Sequence, residues 1–142
     1  MGVQWAANEH PSKIISEKGL EFYICGGTSG WNRITNDIKV SEINLRTTAK
    51  CYLKYCAKGF SNTDWGDMGH INSLYTSNPG LIIGSAYGWN TEGNVSFEEI
   101  SKMKYEEKDI VLLLAALSDC EKFNWTNLVS LREQEYGNGN MS

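Results

Sequence analysis

At 142 residues the chain lies near the commonest size of a single domain, and one domain spanning 1–142 is expected. Its 41% hydrophobic and 21% charged content excludes wholesale disorder, and 2 prolines beside 14 glycines exclude collagen-like and proline-rich chains. Thirteen basic against seventeen acidic residues, a formal charge of −4, argue against a generic nucleic-acid or acidic-membrane binder.

The N-terminus, Met1-Gly2-Val3-Gln4-Trp5, shows no basic segment followed by an apolar run, so no secretory signal is read there. Leu20 to Cys25 forms an apolar run that enters the glycine-rich loop Gly26-Gly27-Thr28-Ser29-Gly30 and leaves through Gly30-Trp31-Asn32. The same outline recurs at Leu81 to Asn90, which ends in Gly88-Trp89-Asn90, about 58 residues on. Val40-Ser41-Glu42-Ile43 follows the first copy, and Val95-Ser96-Phe97-Glu98-Glu99-Ile100 follows the second. The shared order of strand, Gly-Trp-Asn loop and helix reads as an internal pseudo-duplication, with related halves at about 20–60 and 81–120.

Between Ile43 and Lys58, Leu45, Ala49, Tyr52, Leu53 and Cys56 repeat at helical spacing, with Ser41 as the expected N-cap and Gly59 as the stop. An alternating strand also fits these residues, but the length and the glycine favour helix. Arg46, Lys50, Lys54 and Lys58 form a basic stripe, read as a solvated helix face. Ser61 to Gly80 is rich in Asn, Asp, Gly and Ser, and reads as a loop with a turn at Asn78-Pro79-Gly80 and a short strand at 71–75. Ser96 and Glu99 form a capping box. A buried central helix is expected from about Tyr105 to Asp119, and a last helix from Thr126 to Tyr136 precedes a frayed tail at 138–142. The longest apolar run, Ile110 to Leu117, is far short of the roughly 20 residues a membrane span needs. The expected fold is therefore α+β, a small antiparallel or mixed sheet with helices on one face.

The paired Gly-Trp-Asn loops are the leading functional feature. An indole offers a flat face for a sugar or base, asparagine offers a donor and an acceptor, and glycine lets the backbone approach a ligand. The expectation is non-enzymatic binding of a small polar ligand, a sugar or a nucleotide-like molecule, through Thr28, Ser29, Trp31, Asn32, Tyr87, Trp89 and Asn90. The bland alternative makes the tryptophans core anchors and the asparagines turn-formers. A second alternative is an interaction subunit, a homo-oligomer or a partner of another protein or viral particle, whose aromatic loops bury in an interface.

A third is a cysteine hydrolase with Cys25 as nucleophile, His70 as base and Asp64, Asp67 or Asn72 as orienting group. The His-after-Gly placement at Gly69-His70 resembles the His strand of NlpC/P60 and CHAP amidases. In those families the cysteine opens a helix, whereas Cys25 runs into Gly-Gly-Thr-Ser-Gly and lacks that activation. The same glycine run has no P-loop lysine and does not match G-x-G-x-x-G. Asp64, Asp67 and His70 at i, i+3, i+6 read as solvated or capping groups, and Gly88 to Glu99 lacks the first acidic ligand of a calcium loop. No metal and no cofactor is expected. Cys25, Cys51, Cys56 and Cys120 form no C-x-x-C pair and read as reduced, mostly buried thiols of a cytoplasmic protein.

Overall fold

A computed structural model describes residues 3–31, 33–65 and 72–119. The elements run α1 (Val3–Glu17), β1 (Tyr23–Gly27), α2 (Ile38–Lys54), β2 (Gly59–Thr63), α3 (Leu74–Trp89), α4 (Phe97–Tyr105) and α5 (Ile110–Asp119). The α+β class is as expected; the strand pairing is not antiparallel. β1 and β2 lie side by side in parallel, from Tyr23 opposite Gly59 to Gly27 opposite Thr63. Parallel neighbours need a crossover, and α2 supplies it.

α1, which the sequence pattern does not signal, ends in a C-cap: Gly19 takes φ +68° and the amides of Gly19 and Leu20 reach back to Ser16 and Ile15 carbonyls. α2 begins five residues before the expected Ile43 because Asp37, not Ser41, is its N-cap, accepting from the Val40 amide at 2.9 Å. Ser41 lies inside the helix and donates to the Thr28 carbonyl. The helix buries Ile38, Ser41, Leu45, Thr48, Ala49 and Cys51 on one face. Its opposite face carries the basic stripe, with Lys50 paired to Glu92, Lys54 to Glu9 and, beyond the helix end, Lys58 to Glu21. Gly59 is not a helix stop; it opens β2 beneath the Tyr23 ring, where a Cβ would lie 2.6 Å from Cδ1.

The largest departure is α3. Asn78-Pro79-Gly80 is no turn but the second turn of a helix capped by Ser73. Pro79 has no amide to give the Tyr75 carbonyl, and the Tyr105 hydroxyl takes that place, donating to it at 2.7 Å. Gly80, Gly84 and Gly88, spaced four apart, form the face that meets the strands: Cβ atoms there would lie 2.8 Å from Thr28 Cβ, 2.0 Å from Asn62 Nδ2 and 3.1 Å from Phe60 Cδ1. Close helix–strand approach thus overrides low helix propensity. Leu81 to Trp89 is consequently helical, whereas its sequence counterpart at 20–31 holds β1 and a loop. Gly30 and Trp31 lie in a loop whereas Gly88 and Trp89 end α3, so the described parts of the two copies do not share one structure.

Ser96 caps α4 as expected, accepting from the Glu99 amide at 3.3 Å. The expected long helix over 105–119 breaks at Glu106, which takes φ +60°, and resumes at Ile110 as α5. Ile38, Leu45, Ala49, Ile83, Tyr87, Ile100, Val111 and Ala115 form the main core. α5 is peripheral, not central: Val111 and Ala115 are buried, but Leu113 is 63% exposed and Leu112 and Leu117 are exposed with it. No described helix is long and apolar enough to cross a membrane. The helix expected at 126–136, Cys120 and the tail at 138–142 lie outside the described residues, as does Ile71 of the expected short strand, whose remainder leads into α3.

Tyr87 is buried and donates to Glu42 Oε1 at 2.5 Å. Burial, aided by the Glu42 hydrogen bond, pushes its phenol up to about 12. The protonated form is thereby favoured in the fold, so this stabilisation is complete below the unfolded tyrosine value of about 10 and is lost as pH climbs through about 12. Urea melts from pH 9 to 12 should show the wild type losing stability relative to Tyr87→Phe; parallel decline of the two would contradict the assignment.

Candidate functional site

In parallel sheets, ligands bind in the crevice outside the carboxyl ends of the strands. Here β1 runs out into Thr28-Ser29-Gly30-Trp31 and β2 into Asp64-Trp65, with the Thr28 amide extending the ladder to the Thr63 carbonyl at 3.0 Å. α2 and α3 both begin at this end, since Asp37 lies against Ser29 (amide to carbonyl, 3.1 Å) and Gly80 against Thr28. Two helix N-termini, with their partial positive charge, therefore converge where the strands stop.

A buried polar network joins the four segments. Asp64 Oδ1 accepts from Thr28 Oγ1 and from Asn36 Nδ2 at 3.1 Å, and Oδ2 accepts from Ser77 Oγ at 2.8 Å. Asn36 Nδ2 also reaches the Thr28 carbonyl and hydroxyl, at 3.1 and 3.0 Å. Asn36 Oδ1 accepts from Asn72 Nδ2 at 2.9 Å, with Thr76 Oγ1 and Ser77 Oγ each 3.2 Å away. Thr28 and Asn36 are fully buried. Beside this network, the buried atoms Ser29 Oγ and Asn72 Oδ1 have no hydrogen-bond partner among the described residues. Ser29 takes φ +55°, a left-handed conformation in which serine is strained. Gly30 beside it packs on the network so closely that a Cβ would lie 2.7 Å from Asn36 Nδ2 and 3.2 Å from Asn72 Nδ2. At the rim, Arg33 pairs with Asp37 at 3.4 Å; burial pulls the guanidinium down from its ordinary value and Asp37 opposes that shift.

Two tryptophans lie on the outer face of the last rung of the strand pair. The Trp31 ring covers Gly27, where a Cβ would meet Cζ3 at 2.9 Å, and Trp65 Nε1 donates to Thr63 Oγ1, across from Gly27, at 2.8 Å. Trp31 is half-buried and Trp65 exposed.

The sequence-derived set is divided by this geometry. Thr28, Ser29 and Trp31 lie at the carboxyl ends of the strands. Tyr87, Trp89 and Asn90 lie at the amino ends, because α3 runs from Thr28 past Asn62 to Phe60, and the helix rises about 13 Å from Gly80 to Trp89. Tyr87 is core, Asn90 caps α3 and its Oδ1 accepts from the Glu92 amide, and Trp89 is 94% exposed. Asn32, Asp67 and His70 lie outside the described residues. Cys25 is exposed on the outer face of β1, its thiol 3.6 Å from Thr63 Oγ1, and no helix begins there. Of the three described cysteines, Cys51 is buried, and burial pushes its thiol up; Cys25 and Cys56 are exposed, against the expectation of mostly buried thiols. Among the described residues no three His, Cys, Asp or Glu side chains cluster as metal ligands.

Sequence reasoning did not pick out Asn36, Ser77 or Trp65 for the site. Asn36 and Ser77 are brought in from far along the chain, and the signal available for Trp65 was its place just beyond β2. Clefts of 560 and 400 Å³ flank α2, lined by opposite charges, Glu9 and Glu42 against Lys54, Arg46 and Lys50. No protein-family model, no curated protein and no solved structure matches the chain.

Proposed function

We propose that the chain is a binding module for a small polar ligand, a sugar or nucleotide-like molecule, seated at the carboxyl ends of β1 and β2. The observation that carries this reading is the placement of Trp31 and Trp65 over the Gly27–Thr63 rung, at the same strand ends as the Asp64–Asn36–Thr28 network. Stacking faces beside hydrogen-bonding groups suit a molecule with one apolar face and a polar edge. Trp65 takes the role that the sequence alone assigned to Trp89. A cytoplasmic setting fits the thiols, since Cys25, Cys51 and Cys56 are free.

Native mass spectrometry of gently purified protein tests the reading. A bound small molecule is expected, and it should be lost in the Trp31→Ala/Trp65→Ala double variant while Trp89→Ala keeps it. Retention by the double variant, or loss on Trp89→Ala alone, would sink this site.

A second reading, an interaction subunit, is favoured by the 94% exposure of Trp89 and by the exposed Leu112, Leu113 and Leu117 of α5. It predicts a dimer or larger assembly in the same spectrum, dissociated by Trp89→Ala or Leu113→Glu.

A further inference from the structure

The 400 Å³ cleft beside α2 has the size of a small-ligand site. Glu42, Arg46, Lys50 and Lys54 stand one turn apart along the helix and line it, and Glu9 of α1 closes the Lys54 end. Most of these charges are already matched. Glu9 pairs with Lys54 and accepts from the Tyr55 hydroxyl at 3.0 Å. Glu42 Oε1 accepts from the buried Tyr87 hydroxyl at 2.5 Å, and Lys50 lies 3.6 Å from Glu92. Arg46 is the exception. It makes no ion pair among the described residues, and its buried Nε has no hydrogen-bond partner. Nε is sealed from solvent, so a ligand meets the outer Nη edge of the guanidinium, which is not.

The remaining lining is largely apolar. Ile43 is 50% exposed, Cys51 is buried, and the methylene stems of Arg46, Lys50 and Lys54 add to them. Three cations against two carboxylates leave the described lining one positive charge in excess. That balance suits a single negative charge; a second one, as on a phosphate, would meet Glu9 and Glu42 uncompensated. The flat fork of a guanidinium matches the edge of a carboxylate. We propose that this cleft binds an organic monocarboxylate, its carboxylate on Arg46 and Lys50 and its apolar body over Ile43 and Cys51. The ligand competes only with the long, exposed Lys50–Glu92 pair, whose loss costs little. The site is separate from the one at the strand ends and does not rest on it.

A ¹⁵N-edited titration with sodium hexanoate, set beside 1-hexanol as the uncharged molecule of equal chain length, tests this. Hexanoate is expected to give saturable amide shifts centred on residues 42–54, and 1-hexanol to bind about tenfold more weakly or worse. Arg46→Met keeps the stem and removes the charge. With no partner to lose, it should stay folded and weaken hexanoate about tenfold. If that variant unfolds, the comparison with 1-hexanol still decides. Hexanoate that does not saturate, that shifts residues elsewhere, or that binds no better than 1-hexanol overturns the proposal. So does an unchanged affinity in folded Arg46→Met, or inorganic phosphate binding the same residues more tightly than hexanoate. None of these outcomes bears on the strand-end site, because Trp31 and Trp65 do not line this cleft.

Discussion

Gly84→Leu is expected to be the most damaging single substitution in the described structure, costing about 3 kcal/mol or more. The first atom of any side chain at this position would lie 2.0 Å from Asn62 Nδ2 and 2.5 Å from its Cγ. Asn62 cannot step aside freely, since its amide donates to the Gly80 and Leu81 carbonyls at 3.1 and 3.3 Å. α3 would have to lift off β2, opening the core where Ile83 and Tyr87 are buried. Ser85→Leu, one residue on and exposed, is the control and should stay within about 0.5 kcal/mol. Chemical denaturation of both variants decides the matter; equal stabilities would mean that α3 does not approach the strands this closely.

Asn36→Ala should come next, at about 2–3 kcal/mol, with the arrangement at the strand ends lost as well. The side chain reaches Thr28 and Asp64 through its amide group and receives Asn72 through its oxygen, all in a fully buried position. Truncation strands several polar groups at once, and each orphan costs about 1–3 kcal/mol before relaxation or water entry. Thr76→Val removes only a partner at 3.2 Å that also bonds the Ser73 carbonyl, and should cost about 1 kcal/mol. A thermal melt in which Asn36→Ala is no worse than Thr76→Val would show that Asn36 is not the hub of the network.

What the sequence made legible was local. The Ser96 cap and part of the apolar repeat of α2 come from residues within a few positions of one another: Leu45 and Ala49 are buried, while Leu53 is exposed and Cys56 lies exposed beyond the helix end. Asn78-Pro79-Gly80 misleads because glycine and proline report only intrinsic preference. The forces that keep this stretch helical come from Thr28 and Asn62, which leave no room for a Cβ at Gly80 and Gly84, and from Tyr105, which caps the carbonyl that Pro79 leaves free. The repeated Gly-Trp-Asn fails for the same reason, since a tripeptide does not carry its packing partners with it. α5 looks central because its run from Ile110 to Leu117 is apolar on all sides, yet α4 and α2 cover only part of it among the described residues.

The site follows the same division. Thr28, Ser29 and Trp31 were visible as a glycine-rich loop after an apolar run. Asn36, Asp64, Ser77 and Trp65 join them only when parallel pairing of β1 and β2 sets Gly27 opposite Thr63 and α3 descends past both.

The most direct test of the account is a ¹⁵N-edited titration that follows the assigned indole N–H resonances of Trp31, Trp65 and Trp89 as D-ribose or D-glucose is added. Saturable shifts at Trp31 and Trp65, with Trp89 unmoved, are the predicted result. Saturable shifts at Trp89 alone, or at none of the three, would contradict a ligand site at the carboxyl ends of the strands.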